Sequence, residues 1–273
     1  MIASFYKMVH LDNYFDMPEF IRKKCLELKI EGTINLSIEG INATIFSYNN
    51  NNEITKFFDF LALDNRFENI NFHKTHNKKS PFQKLVINLK PEIVKLGINN
   101  ININNLDRGN YISSDQWDEF TQSDDVILID TRNDYETSMG SFNGAVLPET
   151  ENFCDFPEWF SNWSNKNKIN KTQKIAMCCT GGIRCEKSTA YLKNIGFDNT
   201  YHLQGGILKY LEDNKNKSNN WHGNCFVFDD RVAVDKNLDS ITYINCNKCH
   251  KDTEVARSQS ITKGIVLCDN CKD

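Results

Sequence analysis

No apolar run in these 273 residues approaches the ~20 residues needed to cross a bilayer, so no membrane span is expected. The opening Met1-Ile-Ala-Ser-Phe-Tyr-Lys-Met-Val-His10 lacks the basic start and apolar centre of a secretory signal, and alternates like a strand. A basic balance is missing too. With a formal charge of −4, RNA binding cannot rest on the field of the whole chain and is confined to a local patch. No dinucleotide-binding glycine fingerprint follows a strand, and no two-histidine, one-carboxylate iron set is evident. These absences predict a soluble, cytoplasmic protein with no membrane partner and no flavin, NAD or haem.

What is present is an ordinary globular composition, 40% hydrophobic and 25% charged. The length exceeds the usual size of one core and predicts two domains with a small appendage. The ten cysteines, in a reducing compartment, are expected to be thiols, nucleophiles or metal ligands and not disulfides.

Periodicity divides the chain. Residues 1–97 read as a βαββαβ plait, α+β and ferredoxin-like. A strand over Ser4 to His10 precedes a helix over Met17 to Leu28 with Phe20, Ile21, Cys25 and Leu28 at helical spacing. Two strands follow around the turn Glu39-Gly40, then a helix over Glu53 to Leu63 and strands over Asn69 to Lys74 and Lys84 to Leu89. The Asn-rich stretch from Gly97 to Asn110 reads as a linker, whose Ile98, Ile101 and Ile103 could pack on either neighbour. Residues 110–214 read as an α/β domain with a parallel sheet. The runs Val126-Ile-Leu-Ile-Asp130 and Lys174-Ile-Ala-Met-Cys-Cys179 suit buried strands, and Ser113 or Ser114 can cap a helix over Asp115 to Phe120. A strand over Asn199 to Leu203 and a helix opened by Gly205-Gly206 complete it. Residues 221–273 form a tail too small for much core.

The segment with most chemistry is Cys179-Thr180-Gly181-Gly182-Ile183-Arg184. A thiol at a strand end, followed by small residues and the N-terminus of a helix, meets backbone donors and a helix dipole that favour its anion. Arg184 adds a permanent cation. Such a cradle, built by Thr180, Gly181, Gly182 and Ile183, also holds an oxyanion or a persulfide. The bland alternative is a buried cysteine before an ordinary turn. Cys178 alternates inward and reads as core. Cys185, in the first helical turn, is either a resolving thiol or a packing residue.

In the tail, Cys246-x2-Cys249 and Cys268-x2-Cys271 stand eighteen residues apart, a spacing that closes a tetrahedral four-thiolate zinc site. A zinc ribbon is therefore expected, with a structural metal, since a closed site leaves no position for substrate. Cys225 lies outside the spacing and reads as packing.

Four strings together resemble the rhodanese domain of the bacterial tRNA uridine hydroxylases: Ile129-Asp-Thr-Arg-Asn-Asp-Tyr-Glu136, Gly140-Ser-Phe-Asn-Gly-Ala145, Cys179-Thr-Gly-Gly-Ile-Arg-Cys-Glu-Lys187 and Leu203-Gln-Gly-Gly-Ile207. Glu39-Gly-Ile-Asn-Ala-Thr44, Pro91-Glu-Ile-Val-Lys-Leu-Gly97 and Phe226-Val-Phe-Asp-Asp-Arg231 extend the resemblance over nearly the whole chain. It implies dioxygen-dependent formation of 5-hydroxyuridine at the wobble position, with the tRNA anticodon region as partner. It also implies a persulfide intermediate on Cys179 and a loop arginine at Arg184. Asp130 and Arg132 match the family's Asp-x-Arg pair, a structural ion pair or a substrate contact. Where many rhodanese domains have Gly-His-Ile, this chain has Gly140-Ser141-Phe142.

The candidate RNA patch is Lys74, Lys78, Lys79 and Lys84 with Arg231, where Phe72 and Phe82 are placed to stack on bases. Three other functions stay open on the residues alone. They are a sulfurtransferase passing sulfur from Cys179, a phosphatase, which the six-residue loop disfavours, and an RNA-binding module without catalysis.

Overall fold

The structure is a computed structural model that describes residues 1–49, 52–77, 79–98, 107–215, 217, 219–241, 243–245 and 252–254. Lys78, Ile101, Ile103 and the four tail cysteines Cys246, Cys249, Cys268 and Cys271 lie outside the described residues, and with them the expected zinc ribbon.

The N-terminal part runs β1 (Ile2–Met8), α1 (Met17–Glu27), β2 (Glu31–Ser37), β3 (Gly40–Phe46), α2 (Asn52–Leu61), β4 (Phe72–Thr75) and β5 (Leu85–Leu89). Its five strands lie in the order β4-β1-β3-β2-β5. The first four give the expected plait, and β5 adds an edge strand parallel to β2. Strand alternation sends Ala3, Phe5, Ile34, Leu36, Ile41, Ala43 and Ile45 to one face. There they meet Ile21 and Cys25 of α1 and Ile54, Phe57 and Leu61 of α2 in one core. Each buried Ile, Leu or Phe among them contributes roughly 1.5–3 kcal/mol by leaving water. Phe20, expected on the buried stripe of α1, is instead 66% exposed. The stripe runs through Ile21, Cys25 and Leu28, at i, i+4 and i+7, and Phe20 falls about 100° to one side of it.

The second part runs β6 (Asn110–Ile112), α3 (Ser114–Thr121), β7 (Val126–Asp130), α4 (Asp134–Thr137), β8 (Gly140–Phe142), α5 (Phe156–Lys166), β9 (Lys174–Cys178), α6 (Ile183–Asn194), β10 (Thr200–Leu203) and α7 (Gly206–Asp213). Strands β6-β10-β9-β7 form a wholly parallel sheet, as the apolar runs predict. Two cores flank it. One holds Trp117, Phe142, Tyr210 and Trp221 with the buried Cys178 and Cys225, and the other Phe153, Phe156, Phe160, Leu192 and Phe197. Leu96, with no exposed surface, packs in the second core with Ile98 at its edge, so the chain reaches the parallel-sheet domain before residue 99. Beyond α7, β11 (Trp221–Gly223) pairs with β8, and β12 (Cys225–Phe226) with β13 (Ala233–Val234). Among the described residues no helix is long and apolar enough to cross a membrane.

Candidate active site

Cys179 sits between the end of β9 and the start of α6, where parallel strands deliver their loops to one edge of the sheet. Gly182 turns the loop with φ +96°, a left-handed conformation that side chains rarely adopt. Its amide donates to Cys179 Sγ at 3.2 Å. Burial alone would raise the pKa of this thiol. The Cys185 thiol, the Arg184 charge and the Cys185 and Arg184 amides outweigh burial and bring it down to about 7. Cys185 moves the other way, its thiol raised well above the usual range by burial and by Cys179, so Cys185 donates and Cys179 holds the charge. Thr131 Oγ1 lies 3.8 Å from Cys185 Sγ.

The loop is braced from beneath by α7. Amides of Ile207 and Leu208 donate to the carbonyls of Cys179 (2.9 Å) and Thr180 (3.1 Å). A Cβ at Gly206, where φ is +71°, would stand 2.6 Å from the Gly182 nitrogen and 2.7 Å from the Cys179 carbonyl oxygen. The string Leu203-Gln-Gly-Gly-Ile207 is thus the floor of the cradle.

Arg184 does not wait unpaired. Its Nη1 donates to Glu136 Oε2 at 2.7 Å, and Glu136, wholly buried, also accepts from Thr180 Oγ1 at 3.3 Å and the Asn133 amide at 3.1 Å. The other side of the Arg184 guanidinium faces the ring of Phe228, 5.5 Å from its centroid. Asp130 and Arg132 are both fully buried. Arg132 donates from Nε and Nη2 to Asp130 and from Nη2 to the Gly140 carbonyl, and Ser141 Oγ donates to Asp130 Oδ2 at 2.7 Å. Both side chains are engaged in this closed network, and neither lines the cleft between the two domains.

Residues with no expected role complete the site across the domain boundary. Glu186, 2% exposed, accepts from the hydroxyls of Tyr6 (2.7 Å) and Tyr111 (2.8 Å) at one oxygen. Arg108 Nε lies 3.2 Å from its other oxygen, close enough for an ion pair but misaligned for a hydrogen bond. Burial first, then Glu186, raise the pKa of the Tyr6 phenol well above its usual value, so it remains a donor. Lys187, 1% exposed, donates to both Glu39 oxygens (2.9 and 3.1 Å), to Glu92 and to the Val94 carbonyl. Glu39 also accepts from the Ile93 amide at 2.8 Å. Glu39, Glu92 and Lys187 belong to three separate strings of the resemblance, and that membership was the signal the sequence carried.

These elements enclose a cleft of about 1100 Å³ between the two domains, lined by Cys179, Thr180, Arg184, Tyr6, Phe228 and the polar face of the N-terminal sheet among others. That volume exceeds a typical small-molecule pocket. Arg231, expected to touch RNA, is instead 9% exposed and forked onto Asp229, with Nη1 also reaching Thr75. Lys74, Lys79 and Lys84 are exposed on the N-terminal domain outside the cleft lining, Lys74 lying 4.9 Å from the Phe72 ring centroid. Among the described residues no group of three or more His, Cys, Asp or Glu side chains is arranged to hold a metal.

A parallel sheet whose central strand ends in a thiol, cradled by amides and an arginine at a helix start, is the arrangement of a rhodanese-like domain. Residues 113–213 match the Rhodanese-like domain family, and residues 1–93 match the UPF0176 acylphosphatase like domain. Full-length relatives carry the name tRNA uridine(34) hydroxylase. One from Wolbachia pipientis subsp. Culex pipiens is 47% identical over 100% of this chain and 94% of its own. Those of Anaplasma marginale (strain St. Maries) and Ehrlichia canis are 46% and 45% identical over 100% of this chain and 96% and 97% of theirs. The chain belongs to the tRNA uridine(34) hydroxylase family.

Proposed function

We propose that this chain is an enzyme that hydroxylates uridine 34 of tRNA to 5-hydroxyuridine in the cytoplasm, with Cys179 as its reactive thiol in the cleft between the domains. The observation that carries this reading is a thiol brought down to about 7 and facing a cleft much larger than a sulfur donor needs. In this reading the anticodon region enters the cleft while Lys74, Lys79 and Lys84 meet the phosphates outside it, and Lys78 adds a further phosphate contact. Cys179 carries a persulfide during turnover, its outer sulfur taken by attack of the thiolate on a sulfane-sulfur donor whose bond to that sulfur breaks, and the amides that hold the thiolate hold the persulfide. Dioxygen is the co-substrate. Inserting one of its atoms at C5 and releasing the other as water takes two electrons, which two thiols of an external reductant supply on forming a disulfide. The tail thiols Cys246, Cys249, Cys268 and Cys271 bind a structural zinc, which the protein should retain through reducing, chelator-free purification.

The test is mass spectrometry of tRNA nucleosides from a deletion strain complemented with wild type or Cys179→Ala. Wild type should restore 5-hydroxyuridine and the variant should not, and full restoration by the variant removes Cys179 from the mechanism. The sulfurtransferase reading is favoured by the cradle itself, which suits a persulfide. Cys179-dependent thiosulfate turnover together with unaltered wobble uridines in the deletion strain would establish it instead.

A further inference from the structure

The face of the N-terminal sheet turned away from its helices forms one wall of the cleft, and its composition is unusual for a surface meant to hold RNA. Register places Tyr6 opposite Asn42, Asn42 opposite Asn35, and Asn35 opposite Asn88. A second row places Ser4 opposite Thr44 and Thr44 opposite Thr33. The first row begins at Tyr6, whose hydroxyl is bound to Glu186 beside the Cys179 loop, so it leads directly away from the reactive sulfur. These side chains are half-buried, because the other domain stands over them. Asn35 Oδ1 accepts from Asn88 and Ser4 pairs with Thr44. Among the described residues the Asn42 amide and the Thr33 hydroxyl have no partner.

The charges around this wall are already matched. Of the cleft's lining cations, Arg184 is paired with Glu136, Arg231 with Asp229, Lys209 with Asp213 and Arg108 with Glu186. Lys7 alone among the described lysines and arginines of the lining has no carboxylate, and its ammonium donates to the Glu68 carbonyl. A phosphate drawn into the cleft would lose its water and find almost no free positive charge. An uncharged ligand with hydrogen-bonding edges meets amides and hydroxyls suited to it. An asparagine amide offers a donor and an acceptor side by side, the complement of O4 and N3–H on uracil. Phe228, 55% exposed, presents an aromatic face in the same cleft.

We propose that this wall, through Asn42 and Asn35, recognises the uncharged base of the target nucleotide and thereby selects the pyrimidine offered to Cys179. The proposal rests on the reading of the protein as a uridine hydroxylase, and its test is separable from that reading. The probe is an anticodon stem-loop RNA carrying either uridine or an abasic ribose at position 34, bound to the full chain and followed by fluorescence anisotropy. Wild type should bind the uridine loop at least about fivefold more tightly than the abasic loop, as one bidentate base contact provides. Asn42→Leu, which keeps the size but loses donor and acceptor without adding charge, and Asn35→Ala should bring the two affinities within about twofold while leaving abasic binding unchanged. Variants that retain the full preference, or a wild type that has none, overturn the proposal. The 5-hydroxyuridine content of tRNA in the complemented strain reports on the reaction by itself. Its presence beside an unaltered preference in the variants would sink this inference and leave the hydroxylase reading standing.

Discussion

At Cys179, burial opposes the thiolate while a helix start, a guanidinium and a neighbouring thiol favour it, and the favourable contributions win. The direction is a lowered pKa, so the thiolate predominates above about 7 and is lost as pH falls through that value. Alkylation of Cys179 by iodoacetamide, followed by peptide mass spectrometry, should rise with pH to a midpoint near 7 and then level off. Cys185→Ala removes a hydrogen bond to the sulfur and should move that midpoint upward; a downward move would mean that Cys185 does not stabilise the thiolate. Cys179 and Arg184 could be recognised from the sequence because the whole cradle is local, six residues whose backbone does the work. Glu136 could not, although it stands in a string of the resemblance. Its partner Arg184 is 48 residues away, and nothing in Asp-Tyr-Glu tells which basic residue will reach it.

Among the elements, β7, β9 and α6 were readable because their apolar runs and turn residues are strong signals over short windows. The phase of α1 was less so, since Phe20 and Ile21 are adjacent apolar residues and only packing shows which one faces the sheet. The role of α7 was hidden for another reason. A pair of glycines reads as a helix opening, but that Gly206 must be bare because the Cys179 loop crosses it is a contact between distant segments. Gly206→Ala forces a positive φ on a side chain and drives its Cβ into loop backbone, which should cost at least ~2 kcal/mol and displace the cradle. The alkylation midpoint of Cys179 should then move back toward that of an ordinary thiol. An unchanged midpoint with unchanged urea stability would show that the floor is not needed.

For the molecule as a whole, the decisive contact is Lys187 with Glu39 and Glu92. The extension Cys185-Glu186-Lys187, which sets this loop apart from a general rhodanese loop, chiefly addresses the other domain. Lys187→Met leaves the nearly buried Glu39 without its cation, for which ~3 kcal/mol is expected. Glu92 is more exposed and adds little. A urea midpoint shifted to match, with tRNA hydroxylation falling further than stability alone explains, is the expected result. Stability within ~0.5 kcal/mol of wild type would mean that the lysine contributes nothing to joining the domains.

Residues 113–213, cut out as a free-standing domain, would keep Cys179, Arg184 and Glu136 but lose Tyr6 and the asparagine wall. They would also leave Glu186 and Lys187, charged and formerly buried, facing water. On the proposed reading, such a fragment carries the reactive thiol without the wall that selects its substrate. On that reading the two halves cannot be traded independently with other proteins: a lineage that shuffled the thiol-bearing half into a new partner would export reactivity and leave discrimination behind.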